Sequence, residues 1–368
     1  MTPASPFPFY AKITLLLVGG YTFVSILSLA GEIILPFIYA VIISILLNPI
    51  VNYLVKRKIN RLLAITVSIL VTFLFTAGLL YIIANQMGSF GKSFPKMEQR
   101  FGELINQAAN WVSDKFQISH VKVNAWIAKT RNEIINNGNA MIGRTLLTLT
   151  GILIIVILIP VYVFMILYYK PLLLAFLRQL FEKNHQEKVE EVLMMTKGII
   201  QSYISGLLIE AVIISTMNSL ALIFLGIDYA ILLGIIGALL NVIPLIGGIL
   251  AVVLPVIVAL VTKDSPSSAF FVLISYAIIQ FFDNHYITPK IVASKVKINA
   301  LMAVIVVLLG NALWGVPGMF LAIPLAGIVK VIFEHIDILK PWGYLLGDTM
   351  PIMGKFKITL PGRKRKIN

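Results

Sequence analysis

The sequence predicts an all-α protein that crosses a membrane several times. Of its 368 residues, 59% are hydrophobic and only 12% are charged, with a mean hydropathy of +0.94, whereas globular domains are about a quarter charged. Several apolar runs reach the roughly 20 residues that a helix needs to span about 30 Å of hydrocarbon. Spanning β-strands would alternate apolar and polar residues over segments of about 10 residues. Ile152 to Leu167 and Leu301 to Leu309 do not alternate in that way.

The first apolar run, Ile13 to Ala30, follows Lys12 and ends in Ser28-Leu29-Ala30, a sequence that imitates a signal-peptide cleavage site. A second run, Ile33 to Val55, follows at once, and the pair reads better as a helical hairpin with Glu32 at its turn. Lys56, Arg57, Lys58 and Arg61 form the densest early basic cluster. The positive-inside rule places that cluster, and with it the N-terminus, in the cytoplasm. A third helix, about Leu62 to Ala84, closes an N-terminal membrane unit of residues 1–84.

Residues 85–145 are expected to form an extracytoplasmic helical insert, because Phe101, Leu104, Ile105, Ala108, Trp111 and Val112 recur at helical spacing. Such a stripe is a packing surface before it is a ligand site. Residues 146–202 hold a fourth helix, Leu146 to Tyr169, kinked at Pro160, and a charged cytoplasmic helix, Lys170 to Lys197. Pairs such as Lys183 with Glu187 are ordinary surface chemistry there.

The remaining membrane core, residues 203–338, is assigned by charge. A fifth helix, about Tyr203 to Leu225, leads outward. If Tyr229 to Thr262 then crossed once, Lys290, Lys295 and Lys297 would fall outside, against the charge rule. A hairpin turning near Pro244 to Gly248 keeps them inside, together with the basic tail of residues 339–368 and its Arg363-Lys364-Arg365-Lys366. A second hairpin, Ala300 to about Glu334, turns near Trp314 to Gly318 by the same reasoning. Helix plus hairpin thus occurs twice in opposite orientation, the inverted-repeat arrangement by which many secondary transporters hold a site near the bilayer midplane.

The chemistry concentrates in Gln280-Phe-Phe-Asp283-Asn284-His285-Tyr-Ile-Thr288-Pro289-Lys290, a polar seam in an apolar protein. Asp283 ends a long apolar run, where an acid either lines a pathway or sits at the interface. Gln280 and Asn284, one turn apart, can bind a polyhydroxylated solute or a partly dehydrated cation. Glu210 lies inside the fifth helix and is read as an exchanging carboxylate or as a member of a buried pair. Asn241, Pro244 and Gly247 mark one hairpin tip, and Trp314, Pro317 and Gly318 mark the other. Backbone broken at membrane depth must be buried by protein or line water; close packing on small residues is the alternative use of these glycines. His285 reads as interfacial and His335 as solvated.

No cysteine is present, so thiolate sites are excluded. No His-Glu-x-x-His, Gly-rich phosphate loop or Gly-x-Gly-Asp motif occurs; no enzyme, no metal site and no cofactor are expected. The formal charge of +14 follows from topology rather than from a nucleic acid partner.

The run Gln280-x-x-Asp283-Asn284-x-x-x-x-Pro289-Lys290, followed by Leu308-Leu-Gly310-x-x-Leu-Trp314-Gly315-x-x-Gly318-x-x-x-Ala322-Ile-Pro324-Leu, resembles the autoinducer-2 exporter family of bacterial inner-membrane proteins. Ile243-Pro244-x-x-Gly247-Gly248 and Pro255 precede it, and the resemblance extends in layout over nearly the whole chain. It implies about eight membrane segments and efflux of small solutes, with some relatives acting as sodium/proton antiporters. Where the family commonly carries a small polar or His-Pro element and a Gly-Gly pair, this chain has Lys297-Ile298-Asn299-Ala300 and Gly310-Asn311.

The leading expectation is therefore a secondary transporter exporting a small polar solute, with the seam facing the tips near Pro244 and Pro317. Cation/proton antiport with a monovalent cation, through Asp283 or Glu210, is the first alternative. A membrane scaffold or sensor acting through the external insert is the second. The lipid bilayer is the surrounding partner, and the large apolar surfaces permit a homo-oligomer.

Overall fold

A computed structural model describes residues 8–117, 119, 125, 156–243, 247–263, 265–292 and 296–349. Among these the regular structure is helical: α1 (Phe9–Leu29), α2 (Gly31–Lys56), α3 (Arg61–Phe116), α4 (Val156–Tyr168), α5 (Lys170–Gln179), α6 (Gln186–Phe224), α7 (Ala230–Asn241), α8 (Gly247–Thr262), α9 (Pro266–Phe282), α10 (Thr288–Ile291), α11 (Ala300–His335) and α12 (Lys340–Leu346). Six helical stretches are long and apolar enough to cross a membrane, or seven when the bent pair α4–α5 is taken as one. The protein is an all-α multipass membrane protein.

Two expected boundaries move. The third helix does not end near Ala84; α3 runs unbroken for 56 residues through Gly88, Gly91 and Pro95, about 84 Å at the α-helical rise. Isolated glycines cost only about 1 kcal/mol each in a helix, and contacts of its C-terminal half, Met97 and Ser93 among them, hold the rod in place. The described start of the expected insert is thus a continuation of the apolar helix before it. The charged stretch after Tyr169 is not one helix either: α5 ends at Gln179, a short 3-10 turn (Lys183–His185) follows, and α6 then runs 39 residues into the membrane. The bend in this region is the 64° between α4 and α5. The rest of the insert and most of the fourth helix's first half, like the basic tail from residue 350, lie outside the described residues.

Both hairpins form. A Cβ placed on Gly247 would run into the Leu240 carbonyl, so the arms α7 and α8 meet backbone to backbone. Pro244, expected at that tip, lies outside the described residues. In α11 the helix breaks at Trp314 (φ −137°, ψ 16°) and Gly315 (φ 63°, ψ −144°). Beyond the break Gly318 lies against the Gly310 carbonyl, and Gly310 against that of Gly318. In a straight helix residues eight apart are about 12 Å apart along the axis, so the chain has turned back on itself. The left-handed φ at Gly315 is one that a side chain rarely adopts.

The apolar core is divided by these turns. Ala40, Leu47, Val51, Ala64, Ile65, Val163 and Leu167 join α2, α3 and α4. Met97, in the C-terminal half of α3, joins Leu222, Leu233, Val258, Val272 and Tyr276 of the first hairpin and its flanking helices. Ile42, Ile200, Tyr203, Ile204 and Leu321 tie α2 to α6 and α11. The two hairpins meet where Ile243, at the first tip, packs on Val307, Met319 and Ala322 of the second.

Candidate functional site

The seam is positioned by a local departure from α geometry. Asp283–Ile287 form a π turn, with the Thr288 N–H donating to the Asp283 carbonyl. Pro289 accounts for it: the residue has no N–H to give to the carbonyl four residues back, and its ring crowds that carbonyl. Residues five apart stand about 140° apart around an α-helix, but a turn closed from i to i+5 brings them into line. Thr288 Oγ1 accordingly lies 3.2 Å from Asp283 Oδ1.

Glu210 comes to the same point from α6. Gly206, one turn earlier, touches the Ile291 carbonyl so closely that any side chain there would collide with it. That contact brings the end of α9–α10 against α6, and Thr288 Oγ1 donates to Glu210 Oε1 at 2.8 Å. Two carboxyl groups thus converge on one hydroxyl. Asp283 is 1% exposed and Glu210 8%, and among the described residues neither makes a salt bridge to a basic side chain.

The first hairpin supplies the amides. Asn241, the last residue of α7, donates from Nδ2 to Asp283 Oδ2 at 2.6 Å. Gln280 Nε2 reaches Asn241 Oδ1 at 3.5 Å and Asn284 Oδ1 at 3.4 Å. A Cβ on Gly248 would lie 3.2 Å from the Gln280 amide, so this glycine leaves the amide its place. The hairpin itself sits on α6 through Gly234 and Gly237, which lie against Ser219 and Asn218.

These groups line one cavity of about 860 Å³. Its polar wall is Glu210, Asn241, Gln280, Asp283, Asn284 and Thr288; the rest is mainly apolar, with Tyr203 and Tyr276 added. Ala303 and Ile323 close it from the second hairpin. No group of three or more His, Cys, Asp or Glu side chains suited to a metal occurs among the described residues.

Five expected site residues, Glu210, Asn241, Gln280, Asp283 and Asn284, therefore meet in one place. Gly247 closes the hairpin beside them. Trp314, Pro317 and Gly318 do not join them. The Trp314 indole donates to the Leu27 carbonyl at 2.9 Å, and Tyr39 Oη donates to the Pro317 carbonyl at 3.2 Å. The second tip is thus tied to the α1–α2 hairpin, and its arms rather than its tip border the cavity. Thr288 belonged to the seam but was not singled out within it, and Tyr203 and Tyr276 were not among the candidates; the Pro289 that follows Thr288 is the one local signal of a distorted turn.

A cavity walled by broken helical hairpins, with buried carboxyl and amide groups in a multipass helical protein, is the arrangement that many membrane transporters and permeases use. The sequence model of the AI-2E family transporters matches residues 13–338, and the chain belongs to that family. It is 25% identical over 317 residues to the AI-2 transport protein TqsA of Escherichia coli (strain K12), covering 83% of this chain and 87% of that protein. It is 24% identical over 307 residues to YrrI, a candidate transport protein of Bacillus subtilis (strain 168), covering 82% and 86%. A candidate transport protein of Haemophilus influenzae is 26% identical over 330 residues, covering 87% and 92%.

Proposed function

We propose that the protein is a secondary transporter that exports small polar solutes across the bacterial inner membrane, with both termini in the cytoplasm. The observation that carries this reading is the convergence of Asn241, Gln280, Asp283, Asn284, Glu210 and Thr288 on one cavity. Its amide, hydroxyl and carboxyl groups offer both donors and acceptors, which suits a solute rich in hydroxyl groups. The cavity volume of about 860 Å³ leaves room for a small metabolite with water. AI-2, the cargo in the name of the Escherichia coli relative, is one solute to test. Export would proceed as the first hairpin moves against the second at the Ile243 contact, exposing the cavity to either side in turn.

One observation favours a second reading, exchange of a monovalent cation for protons. The single proton of the Thr288 hydroxyl cannot serve Glu210 and Asp283 equally. A further proton, or a small cation held between the two carboxyls, would balance the site.

The test is flux in proteoliposomes of purified protein under imposed proton and sodium gradients. Wild type should move solute, and Asp283→Asn should lower the rate at least tenfold. Under the exchange reading, Glu210→Gln abolishes gradient-driven cation flux as well. Solute flux unchanged in Asp283→Asn removes the seam from the pathway, and flux indifferent to both gradients removes exchange.

A further inference from the structure

Far from the cavity, at the elbow between α4 and α5, three cations gather. Arg61 opens α3 and donates from its guanidinium to the Leu167 carbonyl at 2.8 Å. Lys170 opens α5 and donates from Nζ to Asn48 Oδ1 at 2.8 Å. Lys197 on α6 is close enough to act electrostatically on Lys170, as is Arg61.

The cluster is not neutralised from within. Among the described residues no carboxylate forms a salt bridge with any of the three. The sequence explains why: no Asp or Glu occurs from Ile33 to Met97, nor from Ile134 to Phe181. Each fixed bond uses one donor only, which leaves two N–H groups on Lys170 and four on Arg61. Lys56, Arg57 and Lys58 lie just before Arg61 and add to the same field.

An apolar surface adjoins these charges. α5 has no buried residue; Leu172, Leu173, Phe176 and Leu180 are all exposed. Turned 64° from α4, a helix of this kind lies in the plane of the membrane interface, with its apolar face among the acyl chains. The exposed Tyr53, Tyr168 and Tyr169 belong at the same depth. Cations without counter-ions beside a helix lying in the interface fit one occupant.

We propose that Arg61, Lys170 and Lys197 form a site for the phosphate of an anionic phospholipid headgroup of the inner leaflet, with α5 lying under its acyl chains. A basic pocket between membrane helices is suited to such a headgroup, and the guanidinium can take two phosphate oxygens at once. The lipid would brace the elbow that joins the α2–α3–α4 unit to α6.

Native mass spectrometry of the purified full chain tests the site, with phosphatidylglycerol and phosphatidylcholine offered at equal concentration in mixed micelles. Wild type should retain phosphatidylglycerol preferentially. The preference should fall about fivefold for each charge removed in Lys170→Gln and in Lys170→Gln with Lys197→Gln. Lys170→Arg with Lys197→Arg should keep it, as should Lys92→Gln on the outer part of α3. Equal retention of the two lipids by wild type overturns the proposal, as does an unchanged preference in the double Gln variant. If that variant does not fold, Lys170→Gln alone decides: a preference unchanged from wild type overturns the proposal. Inorganic phosphate that displaces the lipid at micromolar concentration would assign the site to free phosphate and overturn the lipid assignment.

Discussion

Thr288 has a role that no other hydroxyl among the described residues shares, since its oxygen lies within hydrogen-bond distance of two buried carboxyl groups from different helices. Thr288→Val keeps its shape and removes that bridge. Leaving buried acceptors without a donor costs about 1–3 kcal/mol, so thermal unfolding in detergent should shift downward by a few degrees while solute flux is lost. Thr288→Ser should restore both. A Val variant with full flux would make the hydroxyl a packing detail. The residue scale also shows where reading the sequence stops. Asp283 and Gln280 were legible because polar groups stand out in an apolar run. Their union with Glu210 was not, because that contact depends on the approach of α6 to α10 at Gly206, a long-range event that leaves no local pattern.

At the scale of elements, the π turn and the two hairpins do most of the positioning. Pro289→Ala returns a backbone amide to the seam and removes the ring, so the turn can close as an ordinary α turn. The expected result is a helix of equal or greater stability in which Asp283 and Thr288 point apart. Transport should fall sharply while the unfolding temperature holds or rises. A loss of stability in this variant, or unchanged flux, would show that the turn does not set the site. The hairpins were legible from charge parity: Lys290, Lys295 and Lys297 could be kept on the cytoplasmic side only if the preceding segment turned back. The π turn was not, because α periodicity assigns Thr288 to another face than Asp283. The end of α3 was misplaced for a related reason. Polar Asn85 and Gln86 with Gly88 and Gly91 look like an exit from helix, yet Met97 buries itself in the first hairpin's core and Ser93 bonds Tyr229 at 2.6 Å.

For the whole molecule, the orientation across the membrane is a matter for labelling, and the sequence is suited to it because it contains no cysteine. Single substitutions Lys58→Cys and Lys297→Cys should react with a membrane-impermeant maleimide only after cells are opened, whereas Lys115→Cys should react in intact spheroplasts. The reverse pattern would invert the topology and the direction assigned to export. The same scale holds a consequence of the long third helix. α3 is rooted beside α2 and α4 through Ala64 and Ile65, and about 50 Å further along it Met97 is clasped by the helices around the first hairpin. A rod held near one end and gripped partway along turns a small tilt at its root into a larger sideways displacement at the grip. The half of the molecule that lacks the cavity thereby gains mechanical purchase on the half that contains it.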